Sequence, residues 1–302
     1  MEIKKKKILI DTDNGDDIDD LIAIYFALNM SKQFEIVGII SSFLNAPLRK
    51  KQIQYVLKLF NMNEIPCFAG ARKPLKGIHG NDINSIYCQY FPFLGKKGKD
   101  EEEIAINFMI EKAKELKEEL YIVEIAPQTT LAKAILKDKS AFEKVHIVMM
   151  GGCFEPDYAE WNIECDYEAS KIVLESGLDL TYVGHDITIQ TTLNDPKIEN
   201  KFLKTTNNEK LDFLVESARA WRNCSKRPIV LHDILAVLSV VDDSICTFKE
   251  ENISFLEKEG HFYTVIDKNS RFKARIAKSV NLPLLYTYVS FLMEGKVNYE
   301  KN

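Results

Sequence analysis

Six carboxylates fall within ten residues near the start of the chain, in the run Asp11-Thr-Asp13-Asn-Gly15-Asp16-Asp17-Ile-Asp19-Asp20. The run lies between an apolar stretch, Ile8-Leu9-Ile10, and a segment with helical spacing. Such crowding of like charge beside a buried strand is costly unless a cation relieves it. A hard divalent ion does so with oxygen ligands, about 6–8 of them for calcium. A helix starting here favours acids in its first turn, which accounts for Asp19 or Asp20. It does not account for Asp13 and Asp17 as well, so the segment reads first as a metal loop.

Other positions could act with it. His232-Asp233 follows Ile229-Val230-Leu231 and offers a proton donor beside an anionic ligand. The plainer reading is a helix cap by Asp233 and an ordinary histidine. Glu160-Trp161-Asn162 and Asp166 follow Met149-Met150-Gly151-Gly152, where glycines let backbone approach a ligand. Glu160 can accept from hydroxyls and Asn162 can both accept and donate. Asp166 reads as the cap of the next helix. Pro127-Gln128-Thr129-Thr130 offers backbone carbonyls to a hard cation, or simply starts a helix. Asn45 either binds a ligand or caps a helix. His79, in Gly77-Ile78-His79-Gly80, reaches a site only if the irregular stretch 70–99 closes over it.

The elements that must position these residues alternate along the chain. Lys7–Asp11, Phe34–Ser41, Tyr121–Ile125, Val145–Met150 and Leu180–Val183 are short apolar runs. Asp20–Asn29, Arg49–Leu59, Ile104–Glu119, Thr130–Leu136 and Tyr167–Ser176 have helical spacing. Runs apolar on both faces suit a parallel sheet covered by helices. Right-handed crossovers then bring every strand-to-helix loop to one edge, beyond which ligands bind. The fold class is therefore α/β, an open, mostly parallel sheet flanked by helices with a Rossmann-like core. Residues 188–230 read as mainly helical, His261–Asp267 as a late strand and Leu282–Met293 as a terminal helix. No domain boundary is evident, so residues 1–302 are expected to form one domain.

Composition narrows the function classes. With 46% hydrophobic residues, 28% charged residues and a net charge of -5, the chain has ample material for a core and no basic face for nucleic acid. No apolar run reaches the length of a membrane span. The six cysteines, at 67, 88, 153, 165, 224 and 246, show no CxxC spacing and are expected to be reduced thiols in a cytoplasmic protein.

Three metal-loop types compete for the acidic run. An EF-hand needs a bidentate Glu at loop position twelve, which is Ile22 here, so it fails. A haloacid-dehalogenase-type phosphatase also opens on Asp-x-Asp, with Asp11 as nucleophile and magnesium as cofactor, but normally has Thr or Val where Gly15 stands. The third type carries the ensemble. Asp11-Thr-Asp13-Asn-Gly15 with Asp19-Asp20-Leu-Ile-Ala23, Asn45, Pro127-Gln-Thr129, Glu160-Trp-Asn162 with Asp166, and Leu231-His232-Asp233 together resemble the inosine-uridine-preferring nucleoside hydrolase family. The resemblance implies one Ca2+ ion, held by Asp13, Asp20, Asp233 and the Thr129 carbonyl. Asp13 would also take a proton from the attacking water. It implies that Asp19, Asn45, Glu160 and Asn162 hold the ribose, and that His232 protonates or otherwise stabilises the departing base. It further implies a nucleoside substrate, a role in nucleoside salvage and a homodimer or homotetramer. Trp221, 11 residues before His232, stacks on the base or is a core aromatic. The rivals are a related or modified N-ribosyl substrate, the phosphatase, and a nucleoside-binding protein without turnover.

The chain departs from the family pattern in places. The acidic loop is two residues longer than the form Asp-x-Asp-Pro-Gly-x-Asp-Asp, and Asn14 stands where many members have proline. Thr130 replaces an asparagine, and Phe154 stands where some members carry a sugar-binding asparagine. These changes bear on substrate range more than on the metal loop.

Overall fold

The computed structural model describes residues 4–76, 99–155, 158–193, 199–200, 202–204 and 208–294. The first half alternates as the apolar runs require: β1 (Lys6–Thr12), α1 (Asp19–Asn29), β2 (Phe34–Ser41), α2 (Ala46–Leu59), β3 (Cys67–Ala69), α3 (Glu102–Leu116), β4 (Leu120–Ile125) and α4 (Thr129–Asp138). The chain continues through β5 (His146–Met150), two short helices α5 (Trp161–Cys165) and α6 (Tyr167–Glu175), β6 (Asp179–Val183) and a single turn α7 (His185–Thr188). It closes with α8 (Glu209–Ser225), α9 (His232–Ser239), β7 (Cys246–Lys258), β8 (His261–Ile266), β9 (Lys273–Val280) and α10 (Leu282–Met293).

The strands form one nine-stranded sheet in the order β3-β2-β1-β4-β5-β6-β9-β7-β8. All pairings from β3 to β9 are parallel, and only β7 runs antiparallel to its neighbours β9 and β8. The mostly parallel α/β sheet expected from the sequence is therefore present. Alternate residues of β1 serve opposite layers. Ile8 and Ile10 pack with α1, α8, α9 and α10, whereas Leu9 packs with α3, α4 and α6. Both faces are covered, which is why these strands read as continuous apolar runs.

Three strands were not anticipated. β3 has only three residues, and β9 and much of β7 expose charged side chains, so neither gives a clean apolar pattern. Between 188 and 230, the described helix is α8, with short turns at 185–191. The closing flap expected over 70–99 falls mostly outside the described residues, and His79 with it. Among the described residues no helix is long and apolar enough to cross a membrane.

The strand order reverses beside β1, because the chain builds outward from β1 to β3 and then returns to add β4 on the other side. That switch opens a crevice between the loops following β1 and β4. Those loops carry the acidic run and Pro127–Thr130. The β1–β4 register also sets Asp11 directly opposite Glu124, and both are fully buried. Oδ1 of Asp11 accepts from the Ser42 hydroxyl at 2.5 Å, and Ser42 is 2.6 Å from the Thr130 hydroxyl. Thr130 Oγ1 in turn accepts from the Ala71 N–H at 2.9 Å. Oδ2 of Asp11 and both oxygens of Glu124 meet no hydrogen-bond donor among the described residues. Burial pushes Asp11 up to about 7 and Glu124 well above the carboxylate range. A protonated Glu124 would relieve the repulsion between the two carboxyls and offer a donor to Asp11.

A carboxyl whose pKa is raised on folding loses stability as pH climbs past its unfolded value, about 4.3 for Glu. Glu124→Gln keeps the donor and removes that penalty. The chelated Glu124→Gln protein is expected to melt a few degrees above the parent at pH 8, with the gap narrowing at pH 5. A gap that is constant or reversed across that range would show that Glu124 is ionised in the fold.

Candidate active site

The site is built on helix starts at the carboxyl edge of the sheet. Ile18 is fully buried and anchors the end of the acidic loop, so α1 begins with Asp19 and Asp20 in its first turn. α9 packs against α1 and begins with His232 and Asp233. Two helix N-termini thus bring acids to one point, where their dipoles favour negative charge. Carboxylate oxygens of Asp19, Asp20 and Asp233 lie within 4.8 Å of one another, all buried. Burial raises the pKa of each well above the ordinary range, and the neighbouring carboxylates raise them further. The Thr12 hydroxyl donates to Asp20 at 2.6 Å. Three converging, mutually repelling carboxylates form a donor set that suits a hard divalent cation.

Asp13 sits beside this trio and is 7% exposed. Burial raises its carboxyl to about 7, against the opposing field of the Arg49 guanidinium. The geometry draws Asp19, expected at the sugar, into the carboxylate trio. Asp13, expected as a ligand, borders the trio and acts on it through its charge. Thr129 opens α4, and its hydroxyl donates to Asp166 at 2.6 Å. Asp11 is fully buried between strands and tied to Ser42, which leaves no route for it to act as a phosphatase nucleophile.

On the sugar side, Glu160 caps α5. Its carboxylate accepts from Asn162 N (2.9 Å), Ile163 N (3.1 Å) and Gly152 N (3.0 Å), and burial still raises it to about 7. Three bonds leave a carboxylate one further lone pair for a ligand hydroxyl. The Asn162 amide donates to the Met150 carbonyl at 3.2 Å. Gly152 adopts φ +73°, and a Cβ there would meet the Thr264 hydroxyl at 2.8 Å. Thr264, from β8, both donates to the Cys153 carbonyl and accepts from its N–H. Asn45 stands at the N-cap of α2 without a side-chain capping bond and is half-buried. The Phe154 ring packs edge-on against Tyr182, and the Phe154 N–H donates to Asp186.

On the leaving-group side, His232 Nδ1 is 2.7 Å from the Thr188 hydroxyl. Its ring stacks on His185, with centroids 5.4 Å apart, and His185 stacks on Tyr158 at 4.0 Å. Burial, then the fields of His185 and Arg227, pull His232 down to about 3. Trp221 is only 1% exposed, and its indole N–H donates to the Asp16 carbonyl at 3.2 Å. It takes the core role of its two expected ones; a ring enclosed by α8 and the acidic loop offers no face to a base.

Several organising residues were not visible as such in the sequence. Asp166 caps α6 as expected, but it also accepts from Leu75 N, Lys76 N and Thr129 Oγ1. Thr188 and His185, which contact His232, follow β6 in a segment that resembles the family's Leu-Asp-Val-Thr, where the sequence pointed to a structural Asp186 and not to these two. Their residue-level signal was a polar pair, His185-Asp186, directly after an apolar run.

The comparisons with known proteins agree with this geometry. Uridine nucleosidase 1 of Arabidopsis thaliana is 31% identical over 266 residues, spanning 82% of this chain and 77% of that protein. The pyrimidine-specific ribonucleoside hydrolase RihA of an Enterobacter species is 30% identical over 228 residues, spanning 70% of this chain and 72% of the relative. Among solved structures, a plant nucleoside hydrolase superposes with TM-score 0.81 at 24% identity, covering 95% of this chain and 98% of its own. A purine-preferring ribonucleoside hydrolase from Gardnerella vaginalis superposes with TM-score 0.79, also at 24% identity, covering 97% of this chain and 100% of its own. The family profile of the inosine-uridine preferring nucleoside hydrolases matches residues 8–287, from β1 into α10, and the chain belongs to that family.

Proposed function

We propose that this nucleoside N-ribohydrolase is calcium-dependent and acts on uridine and related pyrimidine ribonucleosides. The observation that carries the metal reading is the buried convergence of Asp19, Asp20 and Asp233 beside Asp13, with His232 on the same helix start. The pyrimidine reading rests on the relatives at 30–31% identity, named for uridine or pyrimidine substrates. Asp13, Asp20 and Asp233, with the Thr129 carbonyl, would hold the ion. When bound, calcium would lower the pKa of the attacking water and help fix the ribose hydroxyls.

The protein's own groups then divide the work. Breaking an N-ribosyl bond develops oxocarbenium character at the sugar, as in glycoside hydrolysis. Asp13 would remove the proton from water. Asp19, Asn45, Glu160 and Asn162 hold the sugar so that its anomeric carbon faces that water. His232 is held neutral by burial, so it serves as a hydrogen-bond donor to the leaving base rather than as a pre-charged acid. The Thr188 hydroxyl lies 2.7 Å from Nδ1 and orients the ring; in the tautomer where it donates to Nδ1, Nε2–H would be left to point at the base.

Ribose release from uridine, cytidine, inosine and adenosine should be fastest with uridine, vanish on chelation and return with added calcium. Chelator-resistant turnover would sink the metal reading, and faster release from inosine would sink the pyrimidine one. Asp13→Asn should lower kcat by roughly 10²–10⁴-fold, the usual worth of general-base catalysis; near-parent rates would remove Asp13 from that role. His232→Ala should slow uridine hydrolysis far more than hydrolysis of nitrophenyl riboside, whose leaving group needs no donor. Equal losses on both substrates would argue against leaving-group assistance.

A further inference from the structure

The two extra residues of the acidic loop are folded by arginines. Asp17 accepts from Arg227 at 3.2 Å and from the Ile18 N–H at 2.8 Å. Asp16 pairs with Arg49, which projects from the first turn of α2 and is fully buried. The Arg49 guanidinium does more than form that pair. Nη1 donates to the backbone carbonyls of Asp13 and Asn14, the latter at 3.1 Å. Nε donates to the Phe43 carbonyl at 3.1 Å. One turn further along α2, Gln52 accepts from the Asn14 amide at 2.7 Å.

These carbonyls belong to two neighbouring loops at the carboxyl edge of the sheet. Asp13 and Asn14 lie after β1, and Phe43 lies after β2, two residues before Asn45. The second loop is held in an unusual shape: Phe43 and Leu44 adopt φ of +67° and +42°, a left-handed pair without glycine. Their N–H groups reach Ala71 O (2.7 Å) and Arg72 O (2.8 Å), and the Arg72 side chain returns a bond to Leu44 O at 3.0 Å. A residue that grips the carbonyls of both loops fixes the distance between Asp13 and Asn45.

We propose that Arg49 is a positioning residue for the hydrolysis, clamping the loop of the base Asp13 to the loop of the sugar-binding Asn45. The proposal rests on the function assigned above to those two residues. Only a rigid, planar fork satisfies several acceptors in fixed directions; a lysine ammonium supplies the charge without the fork. A charge-only role and a clamp therefore predict different results for Arg49→Lys.

Calcium binding by calorimetry, steady-state kinetics with uridine and thermal unfolding would be measured on the parent, Arg49→Lys and Asp16→Asn. Outer partners of a metal site are typically worth 10–100-fold in affinity or activity. Arg49→Lys is expected to weaken calcium binding and to lower kcat/KM by about that range, with KM rising as Asn45 loses register. Asp16 is partly exposed, so Asp16→Asn should fold as the parent does and should shift both quantities in the same direction by a few-fold. Folded Arg49→Lys and Asp16→Asn proteins with parental calcium affinity and kinetics, whatever their melting temperatures, would overturn the clamp. If Arg49→Lys does not fold, Asp16→Asn decides alone. A parent that neither binds calcium nor releases ribose would instead overturn the functional reading, and the clamp with it.

Discussion

Burying carboxyl groups together is the constraint from which the rest of the site follows. Asp11, Asp13, Asp19, Asp20, Glu124 and Asp233 are all withdrawn from water at one edge of the sheet. An isolated buried carboxylate neutralises itself or finds a counter-charge. This molecule meets the demand differently at each depth. Between the strands, burial favours the protonated form of Asp11 and Glu124. In the loop above, Arg49 and Arg227 neutralise Asp16 and Asp17. At the helix starts, Asp19, Asp20 and Asp233 have dipoles, and among the described residues no salt bridge to them is seen, only the field of Arg49 on Asp20. The unmet charge is thus concentrated where a divalent ion would complete it.

The same edge depends on ties from distant parts of the chain. β8 is remote in sequence from β5, yet Thr264 brackets Cys153 and leaves Gly152 too little room for a side chain. Gly152 then donates to Glu160 and accepts from the His185 N–H at 2.7 Å. The sugar side and the leaving-group side are therefore coupled through one glycine. Glu164 extends the bracing by accepting from the Phe262 N–H and contacting His261 at 2.9 Å. The late hairpin β7–β8 is where the sheet's one antiparallel strand enters, and it stabilises the β5 loop rather than adding a reactive group.

What the sequence made legible was the part governed by local pattern. β2 and α10 match their expected bounds, Phe34–Ser41 and Leu282–Met293, because hydrophobic period and flanking residues are local quantities. The acidic run, His232-Asp233 and Glu160-Trp-Asn162 stood out because the residue types themselves are unusual next to apolar runs. Glu124 did not, since its importance lies in the β1–β4 register, which no single strand encodes. Arg49 read as one cation on a helix face; only the chain path brings its fork to three carbonyls. Trp221 had two open roles, and tertiary packing chose between them.

The leaving-group end carries the last consequence of burial. His232 lies against the plane of His185, and Arg227 acts on it from beside the acidic loop. Every one of these neighbours penalises a positive charge on the ring. A site that relied on a protonated imidazole would not be built this way. The Thr188 hydroxyl, 2.7 Å from Nδ1, fixes the orientation of the ring. Tyr158, 43% exposed at the outer end of the stack, continues the same planar column toward solvent. The column runs from the start of α9 through α7 to Tyr158, so three separate segments of the chain converge at this end of the site.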